Sequence, residues 1–279
     1  MLWRNRKIDS MVLVNILILL AASVLGGTLN GVAGGGSFIT FPALIYVGVP
    51  PVQANATSTA GLWPASASAA WALRKELVRQ NKRLLLVLGL SSLVGGVGGA
   101  LLLLKTPQAT FTLLIPFLML LATLLFAASP LVNARLKQRA IARQKERGVE
   151  RDEPRLSWFV LLGTALLQLI ISIYGGYFGG GIGILMLASL GLMGMQDINE
   201  MNAVKNALAA CINGVAIITF AVLGAIVWQY VLVMIVGTLA GGYGGVYYAR
   251  KLDPRIVRAF IILVGCVMTV YFFFKYGVL

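Results

Sequence analysis

The sequence predicts an all-α polytopic membrane protein built from two sequence-related halves. It has about eight full transmembrane helices and two short broken or re-entrant ones. Three observations predict this class. Of 279 residues, 59% are hydrophobic and 11% are charged, whereas a soluble domain carries roughly a quarter charged residues. Apolar runs such as "LLLVLGLSSLVGGVGGALLLL" (84–104) reach the roughly 20 residues needed to cross a bilayer. Finally, three sequence islands recur in the same order at a nearly constant offset. Gly31, Gly34, Gly35 and Gly36 match Gly176, Gly179, Gly180 and Gly181, 145 residues on. "ANATST" (54–59) aligns with "MNAVKN" (201–206) at 147, pairing Asn55 with Asn202 and Thr59 with Asn206. "GGVGG" (95–99) matches "GGYGG" (241–245) at 146. Residues 1–130 therefore read as a first transmembrane repeat, 131–156 as a basic cytoplasmic linker and 157–279 as a second repeat.

The elements follow in order. "RNRK" (4–7) before the apolar "MVLVNILILLAASVLGG" (11–27) has the outline of a secretory signal. Hydrophobicity runs on past Ser23, and "WFVLLGTALLQLIISIY" (158–174) occupies the same place before the second triple glycine. The stretch is thus expected to be a mature helix over 11–29. Each first helix runs into Gly-Gly-Gly. A glycine in a helix interior costs about 1 kcal/mol relative to alanine. Three in a row extend no packing face, so the tract predicts a break. The apolar pieces that follow, "SFITFPALIYVGVP" and "GIGILMLASLGLMG", would be about 21 Å long as helices, short of the roughly 30 Å hydrocarbon core. Next come helices opening on the Asn motifs (54–73, 201–222), the Gly-zipper helices (84–104, 227–249) and the closing helices (109–129, 256–274). GxxxG spacing in the zippers lets helix backbones approach closely and also suits a homo-oligomer.

Two topologies satisfy this inventory. If the short pieces re-enter, the halves are parallel and both termini cytoplasmic, with loop 250–258 on the wrong side. If they cross, the halves are inverted and only the N-terminal basic cluster offends the positive-inside rule.

The net charge of +14 lies in clusters beside apolar runs: Arg4–Lys7, Arg74–Arg83, Arg135–Arg155 and Arg250–Arg258. That is how topology-setting loops and contacts with anionic lipid are arranged. The partners expected are the bilayer and a small anion, not nucleic acid. Histidine is absent, and Cys211 and Cys266 lie in apolar runs without C-x-x-C spacing. No metal, cofactor or disulfide framework is indicated. The nine acidic residues all lie in loops or at helix edges. An intramembrane proton relay, a carboxylate cation site and an enzyme's acid–base pair therefore have no residues to use.

The candidate substrate-binding residues are the glycines of the two breaks (Gly34, Gly35, Gly36; Gly179, Gly180, Gly181) and the polar helix starts after them. A helix broken in the bilayer turns free N–H groups and the positive end of its dipole toward an anion. Asn55, Thr57, Ser58 and Thr59 place donors and acceptors at the start of one apolar helix. Asn202, Lys205, Asn206 and Asn213 share one face of the other at i, i+3, i+4 and i+11. Lys205 has two readings: a lysine snorkelling from a helix start, or the counter-charge of a bound anion. The site is expected between the two breaks and the two Asn-containing helix starts.

"GGGSFITFPAL", the "ANATS" segment after it and a second copy ending in "NAVKN" resemble the TauE/SafE sulfite exporter family over almost the whole chain. The resemblance implies a multi-pass protein of the bacterial inner membrane that exports sulfite, sulfoacetate or a related small oxyanion. It carries the family's glycine-and-proline element onto Gly34, Gly35, Gly36 and Pro42, and onto Gly179, Gly180 and Gly181. Leu187 stands where a second proline is expected, so the second short helix should bend less. Two other readings stand beside an exporter: an importer of a small organic anion, and a non-transporting membrane assembly protein.

Overall fold

The computed structural model describes residues 2–147, 158–193, 195, 197–242 and 254–277. Among these the chain is helical, with no strand. The helices are α1 (Leu2–Ala33), α2 (Ser37–Tyr46), α3 (Pro51–Ala72), α4 (Arg74–Val78), α5 (Lys82–Lys105), α6 (Gln108–Arg147), α7 (Trp158–Tyr177), α8 (Ile182–Leu192), α9 (Ile198–Val222), α10 (Trp228–Ala240) and α11 (Pro254–Lys275). Five stretches among the described residues are long and apolar enough to cross a membrane: Leu13–Asn30, Lys82–Lys105, Gln108–Val132, Asn199–Val222 and Arg258–Lys275. Shorter apolar helices cover Ser37–Tyr46, Leu161–Tyr177, Ile182–Leu192 and Trp228–Ala240. Their outward faces are apolar: Leu86, Leu90 and Val94 on α5 and Leu113, Phe117 and Leu124 on α6 are exposed. So much exposed apolar surface suits a lipid solvent and would drive aggregation in water.

Both triple glycines interrupt the helices. α1 ends at Ala33 and Gly34 turns with φ 78°. Its N–H bonds back to the carbonyls of Leu29 and Asn30 at 3.1 and 3.0 Å, a glycine C-cap. α7 ends at Tyr177, and here two glycines are left-handed, Gly179 at φ 80° and Gly181 at φ 75°. L-residues reach this region only at a cost of roughly 1–2 kcal/mol. The short helices that follow have 10 and 11 residues, about 15 and 17 Å of rise. Pro42 lies inside α2, whereas α8 carries Leu187 there and has no proline.

The end of α6 departs from the sequence reading. α6 does not stop near residue 129 but continues to Arg147, through the first part of the basic linker. Pro130 stands at the junction, yet residues 131–147 hold alanine, leucine, lysine, arginine and glutamine with neither glycine nor proline, so nothing further on ends the helix. The rest of the linker, 148–156, lies outside the described residues, as do 243–249 of the second zipper helix.

The chain forms two compact units, each drawing on both sides of the linker. One comprises residues 1–66, 106–119 and 220–279. In it α1 packs on α10 and α2, and α2 on α11. The contact between α1 and α10 is set by glycine. A Cβ on Gly237 would stand 2.6 Å from that of Ser23, and one on Gly27 would run into the Thr238 backbone. Thr28 ties the same pair by donating to the carbonyls of Val24 and Gly241.

The other unit comprises residues 67–105 and 120–219, and α5 packs on α7 in the same manner. A Cβ on Gly95 would meet Ser172 at 2.5 Å, and one on Gly99 would strike the carbonyl of Ile173. Gly96, one residue on, faces α9, where its Cβ would meet Ile212. Gly95, Gly96 and Gly99 thus pack against other helices of the chain, whereas Gly98 faces open space. At the α5–α7 crossing Gln168 Nε2 donates to the hydroxyls of Ser92 (2.9 Å) and Ser172 (3.2 Å). An apolar core of Leu88, Ile171, Met186, Leu190, Val204 and Ile212 completes the unit.

Candidate functional site

The first break belongs to the unit of α1, α2, α10 and α11. Gly36, the N-cap of α2, has helical angles (φ −59°, ψ −35°). It is needed for space: a Cβ there would meet the Gly26 carbonyl at 2.5 Å and Leu62 at 2.9 Å. Its carbonyl takes the N–H groups of Ile39 and Thr40 and the Thr40 hydroxyl, while Gly35 accepts from Phe38 N–H at 3.2 Å. Thr40 also shares a 2.7 Å hydrogen bond with Ser58 on α3. α3 opens on Pro51, a residue whose missing N–H suits a first turn, and Gln108 Oε1 accepts from Val52 N–H at 3.2 Å.

The polar residues predicted at this helix start are engaged by the fold. Asn55 is buried at 4% exposure. The Thr57 hydroxyl accepts the Val227 N–H at 3.1 Å, at the start of α10. Ser58 is held by Thr40, and Thr59 donates to the Asn55 carbonyl at 2.9 Å. Buried hydroxyls with partners stabilise their helices by about 1 kcal/mol each.

The second break belongs to the other unit. α9 is capped by Asp197, whose Oδ1 accepts the N–H of Asn199 at 2.7 Å. The helix is continuous through Val222, so Asn202, Lys205, Asn206 and Asn213 line one face, all half-buried. Lys205 Nζ donates to Asn202 Oδ1 at 3.0 Å. Its stem lies against the first turn of α8: a Cβ on Gly183 would stand 3.4 Å from Lys205 Cδ. The structure therefore brings Lys205, and through it the Asn202 amide, beside the helix that starts at the second break. Gly180 sits tightly, with a Cβ 2.9 Å from Ala122 and from the Phe178 ring, and Gly181 packs on Leu125.

Sequence reasoning missed two residues at this break. The Tyr174 hydroxyl donates to the Gly180 carbonyl at 2.6 Å, and Gly183 makes room for the lysine stem. Tyr174 could have been noticed as one of two tyrosines, with Tyr177, shortly before the triple glycine. Gly183 continues the glycine run at alternate spacing. Nothing in either pattern names the partner.

A helical protein with apolar outer faces, two glycine breaks and a half-buried lysine beside one of them has the architecture of a polytopic membrane transporter. The family model for the sulfite exporter TauE/SafE matches residues 19–272, and the chain belongs to that family. It is 28% identical over 257 residues to a probable membrane transporter protein of Sinorhizobium sp., covering 91% of each chain. A probable membrane transporter protein of Haemophilus influenzae is 27% identical over 256 residues, covering 91% of this chain and 92% of the relative. The probable membrane transporter protein YfcA of Escherichia coli is 25% identical over 254 residues, covering 90% and 87%. No solved structure matches. The protein is a multi-pass membrane transporter, and not an enzyme.

Proposed function

We propose that the protein is a secondary transporter that exports a small anion, sulfite, sulfoacetate or a similar oxyanion, across the inner membrane. In this reading eight helices span the bilayer, and α2 and α8 are the two short ones. The anion is held at the second break. Lys205 supplies the positive charge, Asn202, Asn206 and Asn213 orient the oxygens, and the N–H groups around Gly179, Gly180 and Gly181 bind them. The residues of the first break, Gly34, Gly35, Gly36, Asn55, Thr57, Ser58 and Thr59, form a second polar break, in which the hydroxyls of Thr57, Ser58 and Thr59 are engaged within their own unit. One observation carries the reading: the lone lysine of the polar face lies half-buried against α8, its ammonium on an amide oxygen. Cations in lipid-facing proteins are held inside where they serve ion or substrate pathways.

The test is flux of sulfite in proteoliposomes. Lys205→Ala is expected to lower flux about 100-fold or more, the effect of truncating one partner of a buried, hydrogen-bonded charge. Its melting temperature in detergent should stay within a few degrees of the native protein. Native flux in that variant refutes the role of Lys205. Imposing the gradient in each direction separates export from import.

A further inference from the structure

We propose that Tyr174 is a positioning residue that presets the second break for its anion; this rests on the reading that the anion is held there. Equivalent backbone groups of the two breaks take different partners. In the first break the Gly35 carbonyl is taken by Phe38 N–H at 3.2 Å. With the repeat offset of 145, the matching pair in the second break is the Gly180 carbonyl and Gly183 N–H. There the carbonyl is taken instead by the Tyr174 hydroxyl, at 2.6 Å. Leu29 stands at the position equivalent to Tyr174, so the first break has no such donor.

Two consequences follow. The phenol does what the Gly183 N–H would otherwise do, which leaves that N–H for a ligand, beside the Lys205 stem. The peptide between Gly180 and Gly181 is planar and trans, so fixing its oxygen on Tyr174 turns the Gly181 N–H to the opposite side. Every carbonyl of the break also has a donor. Gly179 accepts from Ile182 N–H at 3.4 Å, Gly180 from Tyr174 and Gly181 from Ile184 N–H at 3.0 Å. The electronegative groups that would repel an anion are thereby masked, while α8 starts without any side-chain cap on its N–H groups.

The experiment uses the full chain, with sulfite as the probe, and reads KM and maximal rate in proteoliposomes with melting temperature in detergent. Tyr174→Phe keeps the ring and removes the donor. Its KM should rise about tenfold, the worth of one buried hydrogen bond. Its maximal rate should stay within about twofold and its anion-free melting temperature nearly unchanged, while the stabilisation given by sulfite shrinks. An unchanged KM overturns the proposal, and so does an equal fall in maximal rate and anion-free melting temperature with KM intact. Should the phenylalanine variant fail to fold, site-specific 3,5-difluorotyrosine at 174 reads the same bond with a stronger donor. A lowered KM supports the assignment, and an unchanged or raised KM overturns it. If the native protein gains no stability from sulfite and carries no flux, the anion site itself fails, which is a separate outcome.

Discussion

The two glycine breaks share one sequence pattern, yet their surroundings differ. In the first, only Gly34 is left-handed, and the carbonyls of Gly35 and Gly36 are taken by the backbone of α2. Hydroxyls from Thr40, Thr57 and Ser58 lock the neighbouring helices. In the second, two glycines are left-handed, a tyrosine replaces a backbone donor, and a lysine lies over the following turn. One break is closed on itself by short polar side chains. The other is braced by side chains that leave a charge beside it. A shared backbone interruption therefore does not imply shared contacts: side chains one turn away decide which partners its backbone groups meet.

Three substitutions bear on this contrast. The largest effect on stability is expected from Gly36→Ala. Its added carbon has backbone 2.5 Å away on one side and Leu62 on another, so it should cost about 3 kcal/mol, the upper range for overpacking a tight site. A melting temperature within a degree of native would show that the first break is loose, against the reading that it is closed. Gly181→Ala should cost less, about 1–2 kcal/mol, because the strain is the left-handed backbone at φ 75° and Leu125 can give way. It should weaken sulfite stabilisation as well as the fold. A loss of stability alone would place the second break beside the first as a purely structural turn. The smallest effect belongs to Thr40→Val. Losing the bond to Ser58 should lower stability by about 1 kcal/mol and leave sulfite flux near native. A large fall in flux would make the first break a direct ligand site, like the second.

Much of the fold was legible in the sequence because it depends on properties read along the chain. Apolar length identified the helices, and Gly31, Gly34, Gly35 and Gly36 with their counterparts marked the interruptions to within a residue or two. The end of the first closing helix, expected near residue 129, was misjudged, since a basic stretch rich in alanine and arginine continues α6 as readily as it ends it. Of the site, the alignment of Asn202 and Lys205 on one face was legible, since spacing on a helix is a local matter. The capture of Thr57 by Val227 and of Ser58 by Thr40 was not, because those partners come from other helices.

By itself the sequence determined that this protein is helical, lives in lipid, is interrupted twice by glycine and carries one lysine among the polar residues of a helix face. Only the tertiary structure decided that α1 pairs with α10 and α5 with α7, and that Tyr174 and Lys205 flank the second break. The reason is physical. Hydropathy and backbone freedom belong to a residue and its neighbours in sequence. Which carbonyl a hydroxyl reaches depends on distances that exist only once the helices have packed.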